Sequence, residues 1–272
     1  MQEEYLKKRT LYLVEKGNRT TVSRDGPSVL IERNFAAPVR IPADYIDKVI
    51  IYGNVEIDAF SITLFSSKFI PILIIGRHEE SSIILPNTSE LKSYAKYQIM
   101  MLDSKKIVES FINWIKERRA QNQKKVLNSL FENISISIEA EDRNYNVMIN
   151  KIKPSDFLWS RVKEIMQNLI IMTILSSLIK FKLDPHIGVI NQGYNYGLVF
   201  DIYQIYEPYA DFLTFQFFYA DGANIDFIKN PDLNYDRLRF LIDKFEKKKD
   251  DIEQELNSSI AQILSFLRSI ST

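Results

Sequence analysis

The pattern of apolar residues changes once, near Pro86-Asn87-Thr88, and that change limits the chain to two kinds of construction in series. Before it, from Thr10 to about Pro86, short runs rich in β-branched and aromatic residues are punctuated by Lys16-Gly17-Asn18, Asp25-Gly26-Pro27 and Ala37-Pro38. Strands are expected at Leu11–Val14, Thr20–Ser23, Val29–Glu32, Val39–Ile41, Lys48–Tyr52 and Pro71–Ile75, with a short helix over Phe60–Ser67. Strands this short need a sheet packed on a sheet. Ile72 to Ile75 are apolar toward both faces, so that strand should be central. After the change, helical spacing covers Tyr94–Leu130, Ser155–Lys182, Tyr235–Leu256 and Ser258–Ile270, while residues 209–234 read as a turn-rich or partly helical excursion. The expected architecture is α+β: an N-terminal β-sandwich-like domain over residues 1–86, then an all-α domain over 87–272.

The 272 residues can bury a substantial core, and their composition is that of a globular chain. Cysteine is absent, which removes disulfides, thiolate metal sites and thiol nucleophiles together and agrees with a reducing cytoplasmic setting. Met1–Arg9 is charged and lacks a signal-peptide core, so it reads as the mature start, and the apolar run Leu169–Ile179 reads as a buried helix rather than a membrane span. Lys plus Arg and Asp plus Glu both number 35, so no net field steers a polyanion; any nucleic-acid surface must be local. One such surface is the helix bearing Lys116, Arg118, Arg119, Lys124 and Lys125, although the interleaved Glu109 and Glu117 also suit plain solvation. Trp159 and Arg161 open the helix after Pro154, the Trp reading as core. His186 reads as a partly exposed surface residue, His78 as a polar loop residue, and Lys244–Asp251 as a solvated mixed-charge face.

Several motifs together resemble the CRISPR-associated spacer integrase family, the universal first member of the Cas series. They are Arg9-Thr10-Leu11-Tyr12-Leu13 with Gly17, Ile41-Pro42, Gly53-Asn54-Val55-Glu56-Ile57 after Val49–Tyr52, Phe69-Ile70-Pro71-Ile72, Asn122-Gln123, and above all Leu183-Asp184-Pro185 with Gly188. The resemblance implies Mg²⁺ or Mn²⁺ bound by a Glu, a His and acidic residues, used to break and join phosphodiesters. Those positions are Glu139 here, with Glu141 as the alternative, then Asn191, Asp201 and Gln204. The family's glycines flanking the Glu are absent, and its basic residue before Pro208 is Glu207.

Asn191 offers a neutral oxygen in place of a histidine, and Gln204 deletes a full negative charge, so metal affinity should fall: Glu139, Asn191 and Asp201 would hold an ion weakly or not at all. The same resemblance implies double-stranded or branched DNA as ligand, with Lys116, Arg119, Arg143 and Arg161 as contacts. It also implies a homodimer made by the β domain, and a complex with the small second Cas adaptation protein or with an active paralogue. Three roles remain open from sequence: a weak or inactive DNA-binding subunit, which leads; an active metal-dependent endonuclease or integrase; and a dimeric scaffold without nucleic acid.

Overall fold

Short alternating strands build two four-stranded sheets in a computed structural model that describes residues 8–15, 19–76, 81–86, 94–130, 142–219 and 235–270, apart from the side chains of residues 142 and 143. The first sheet has the order β1 (Arg9–Val14), β5 (Ile46–Tyr52), β7 (Ile72–Ile75), β8 (Ser81–Ile84). β1, β5 and β7 run parallel, and β8 returns antiparallel. The second sheet has the order β4 (Val39–Pro42), β3 (Ser28–Arg33), β2 (Thr20–Asp25), β6 (Glu56–Ile57). As expected, β7 is an interior strand of its sheet. The two short strands β6 and β8 went unforeseen, because two and four residues carry too little periodicity to read.

The hairpin between β2 and β3 turns at Gly26-Pro27, where Gly26 takes φ +62, as the first central position of a two-residue primed turn requires. Leu11, Leu13, Val49, Ile51 and Ile72 of the first sheet and Val22, Val29 and Ile31 of the second share one core with Leu64 and Phe65 of helix α1 (Ala59–Ser67). Asp58 caps that helix: Oδ1 accepts the Ser61 N–H at 2.5 Å and Oδ2 accepts the Arg24 N–H at 3.1 Å, tying helix to strand. Asp58→Ala should therefore cost about 1 kcal/mol, read as a lowered midpoint in thermal or urea unfolding.

The chain divides into two units, Met1–Leu91 and Lys92–Thr272. The second contains α2 (Ala95–Leu102), α3 (Lys105–Leu130), α4 (Asp142–Ile152), α5 (Asp156–Lys180), α6 (Gly197–Tyr219) and α7 (Tyr235–Arg268). Ser155 caps α5 by accepting the Leu158 N–H at 3.1 Å. α5 is long and apolar enough to cross a membrane by composition alone, but most of its length is buried within the protein against α6 and α7.

Some helix boundaries differ from the sequence reading. The single helix expected over Tyr94–Leu130 breaks at Asp103-Ser104, and the two expected after Tyr235 are one, continuing through Asn257. α4 was not anticipated. Of the 209–234 excursion, residues 209–219 are helical, in keeping with its partly helical reading, and the rest lies outside the described residues: α6 passes through Pro208 and buries Tyr209, Leu213, Phe217 and Phe218. Nor is Lys244–Asp251 wholly solvated, since Phe245 and Lys249 are buried.

Candidate functional site

The site begins where α5 stops. Lys182 adopts φ +61, its N–H bonds the Ile179 carbonyl, and the Leu183 N–H bonds the Leu178 carbonyl, both at 3.0 Å: the paired bonds of a Schellman ending. The buried side chain of Gln98 then grips Asp184 from α2, its Nε2 donating to the Asp184 carbonyl at 2.9 Å and its Oε1 accepting the Asp184 N–H at 2.8 Å. Asp184 Oδ1 accepts the His186 N–H at 3.0 Å, and the Pro185 carbonyl accepts the Leu198 N–H at 3.1 Å, so the loop folds back onto the first turn of α6.

Gly188 and Gly197 let the two backbones meet: a Cβ on Gly188 would lie 2.5 Å from the Gly197 carbonyl carbon, and one on Gly197 2.5 Å from the Asn191 carbonyl oxygen. Gly188→Ala is expected to lose about 1–3 kcal/mol of unfolding free energy in a urea titration.

Asp201 sits beneath this loop with no exposure. Its Oδ2 accepts the N–H groups of Val189 (2.5 Å) and Ile190 (3.1 Å), and its Oδ1 accepts the N–H (2.9 Å) and side-chain Nδ2 (2.7 Å) of Asn191. Three successive backbone donors and one amide thus enclose the carboxylate. His186 Nδ1 accepts the Tyr196 N–H at 3.2 Å, which puts the imidazole proton on Nε2 in the neutral ring.

A hard divalent ion needs open oxygen ligands, several of them charged. Asp201 presents both oxygens to N–H groups, and Asn191 turns its amide nitrogen toward Asp201. Among the described residues no group of three His, Cys, Asp or Glu side chains could hold a metal. The described part of the expected site supplies one carboxylate, Asp201, whose two oxygens both accept N–H groups. Glu139 and Glu141 lie outside the described residues, as do His78 and the side chain of Arg143.

About two and three turns beyond Asp201 along α6 lies a network that sequence reasoning missed. Glu207 pairs with Arg119 of α3 at 2.7 Å and with Lys163 of α5 at 3.1 Å. Lys163 also meets Asp211 at 2.9 Å, and the buried Tyr145 of α4 donates to Asp211 at 3.0 Å. Burial would lower Lys163, but Asp211 and Glu207 outweigh it and hold the ammonium above its ordinary range. Burial opposes ionisation of Glu207, yet Lys163 and Arg119 prevail and keep it below its ordinary range. For Asp211 burial prevails over Lys163, and its carboxyl is pushed up.

Pro208 explains part of the geometry. Lacking an N–H, it leaves the Gln204 carbonyl without its helical partner, and Arg119 Nη1 donates to that oxygen at 3.0 Å. Asn122 Nδ2 donates to the next carbonyl, Ile205, at 2.9 Å. The only sequence signal for this network was the spacing of Gln204, Glu207 and Asp211 along one stripe of α6.

Of the expected DNA contacts, Lys116 and Arg119 lie on α3 and Arg161 on α5. Lys116, Lys124 and Lys125 are exposed on α3, Lys125 pairing with Glu255 of α7 at 2.7 Å. Arg119 is engaged by Glu207 and the Gln204 carbonyl, and Arg161 is half-buried. Trp159 is buried and stacked on Phe218, with ring centroids 6.1 Å apart.

A two-sheet unit followed by a helical unit, with an Asp-Pro turn folded onto the start of a buried helix, makes this an α+β protein. Residues 11–167 match the family CRISPR associated protein Cas1, and the chain belongs to that family. No curated protein is matched by its sequence. Among solved structures it is similar to a Cas1 protein from Thermotoga maritima, at 19% identity and TM-score 0.71 over 92% of this chain and 95% of that one. A TtCas1–DNA complex is similar at 11% identity and TM-score 0.66, over 92% of this chain and 91% of that one. A Cas6-RT-Cas1–Cas2 complex is similar at 11% identity and TM-score 0.71, over 99% of this chain but 36% of that one.

Proposed function

We propose that this protein is a DNA-binding subunit of CRISPR spacer acquisition that cuts and joins strands weakly or not at all. The observation that carries the reading is the Asp201 carboxylate, closed by four N–H donors, two of them from Asn191 at the family's histidine position. With Gln204 in place of an acid, the described residues supply no charged oxygen ligand for Mg²⁺ or Mn²⁺. Without such an ion nothing here activates an attacking hydroxyl or stabilises a leaving oxygen.

By likeness to the DNA-bound relative and to the assembly that contains Cas2, its ligand is double-stranded or branched DNA. Its partners are a second copy joined through the β domain, the small second Cas adaptation protein, and an active paralogue beside which it takes a non-catalytic or regulatory place in a prokaryotic cytoplasm. Glu139, Asn191, Asp201 and Gln204 mark the ancestral metal positions, and Lys116, Arg119, Arg143 and Arg161 are the proposed DNA contacts.

The test is cleavage and strand transfer on branched DNA with Mn²⁺. Background rates unchanged by Glu139→Ala are expected; brisk turnover lost in Glu139→Ala overturns the reading. Asn191→His combined with Gln204→Asp should raise the rate by orders of magnitude if only ligands are lacking. DNA binding in a mobility assay, falling steeply with salt, separates this function from a scaffold that ignores nucleic acid.

A further inference from the structure

We infer that Arg119 and Lys163 form a binding site for a DNA phosphate and that Glu207 occupies it in cis, as a resident anion that holds the site shut. The inference rests on the DNA-binding reading above and names one of its regulated contacts.

Two cations from different helices converge on one carboxylate: Arg119 on Glu207 Oε2 at 2.7 Å and Lys163 on Glu207 Oε1 at 3.1 Å. That is the geometry in which a phosphodiester takes two cationic donors on separate oxygens. None of the three is sealed from solvent, with side-chain exposures of 19% for Arg119, 22% for Lys163 and 30% for Glu207, so the pair opens to the surface at the carboxylate. Asp211 differs: only 4% of its side chain is exposed, it is fastened by Tyr145, and it anchors Lys163 from below. Among the described residues the cluster joins two positive and two negative groups, and Glu207 is the member a phosphate oxygen could replace.

A second observation points to a ligand. The Tyr203 hydroxyl, one turn before Glu207, is buried with no hydrogen-bond partner among the described residues. Glu207 and Asp211 bear on it electrostatically, as does Arg119 in the opposite sense. A buried hydroxyl without a partner is costly, and a phosphate oxygen entering beside Arg119 would give it an acceptor.

The experiment is binding of the full chain to a branched duplex, followed by fluorescence anisotropy from low to moderate salt. Wild type is compared with Glu207→Gln, with Glu207→Arg, and with Glu207→Gln carrying Arg119→Gln. Unmasking one phosphate contact is expected to tighten binding roughly 5- to 10-fold near 0.1 M salt and to steepen the dependence of log K on log salt by about 0.9. Adding Arg119→Gln should remove that gain.

Unchanged affinity and slope in a folded Glu207→Gln protein overturn the inference, and Glu207→Arg gives the same decision if the glutamine variant does not fold. A gain that survives Arg119→Gln also overturns it. Wild-type protein that binds no DNA refutes the proposed function alone; a Glu207→Gln protein that then acquires binding still supports the occluded site.

Discussion

Asp201→Asn will lose about 3 kcal/mol or more of unfolding free energy, and the loss will be the same with and without Mn²⁺. The amide replaces one acceptor oxygen with an NH₂ that must face N–H donors. At least two of the four bonds from Val189, Ile190 and Asn191 then vanish inside a fully buried site. A metal ligand behaves differently: its removal matters only when the ion is present. Urea unfolding in EDTA and in Mn²⁺ separates the two roles, and a loss that appears only with Mn²⁺ would return Asp201 to metal binding.

Lys163→Met will cost about 3–5 kcal/mol, because it leaves Asp211 as a buried charge without its cation, while the partly exposed Glu207 keeps Arg119. Removing the partners along with the lysine, as in Lys163→Met with Asp211→Asn, should recover much of that loss. The pH dependence follows from the signs. Lys163 is held above its ordinary range in the fold, so its contribution is full below that range and is lost as pH rises through its folded value. Glu207 is held below its ordinary range, so its contribution is full above that range and is lost as pH falls through its folded value. Asp211 is pushed up and offsets part of the acid-side loss. Chemical unfolding across pH should therefore show a plateau between the ordinary carboxylate and lysine ranges, with the alkaline fall weaker in Lys163→Met.

The division into a strand-built and a helix-built unit was legible because both periods are carried by long runs, and the Asp184-Pro185 turn because proline and glycine act locally. Helix ends were harder. Between Met101 and Lys105 only the Asp103-Ser104 pair marks the break, a helix-start signal with no proline or glycine beside it, and α6 continues through Pro208, the carbonyl of Gln204 served by Arg119. The ligand positions could be aligned, but their chemistry could not be read from spacing. Asp201 looks equally acidic whether it faces an ion or four N–H groups, and only the folded loop decides. Lys163, Tyr145 and Asp211 come from three helices, and no local pattern links residues 66 positions apart such as Tyr145 and Asp211.

Because Pro208 frees the carbonyl of Gln204, the turn of α6 that bears this residue is stitched sideways to Arg119 and Asn122 instead of only to its own helix. That turn cannot swivel about the proline while α3 stays put. The stretch of α6 next to Asp201, which fastens Asn191, is thus held by two side chains of α3 as well as by its own helix.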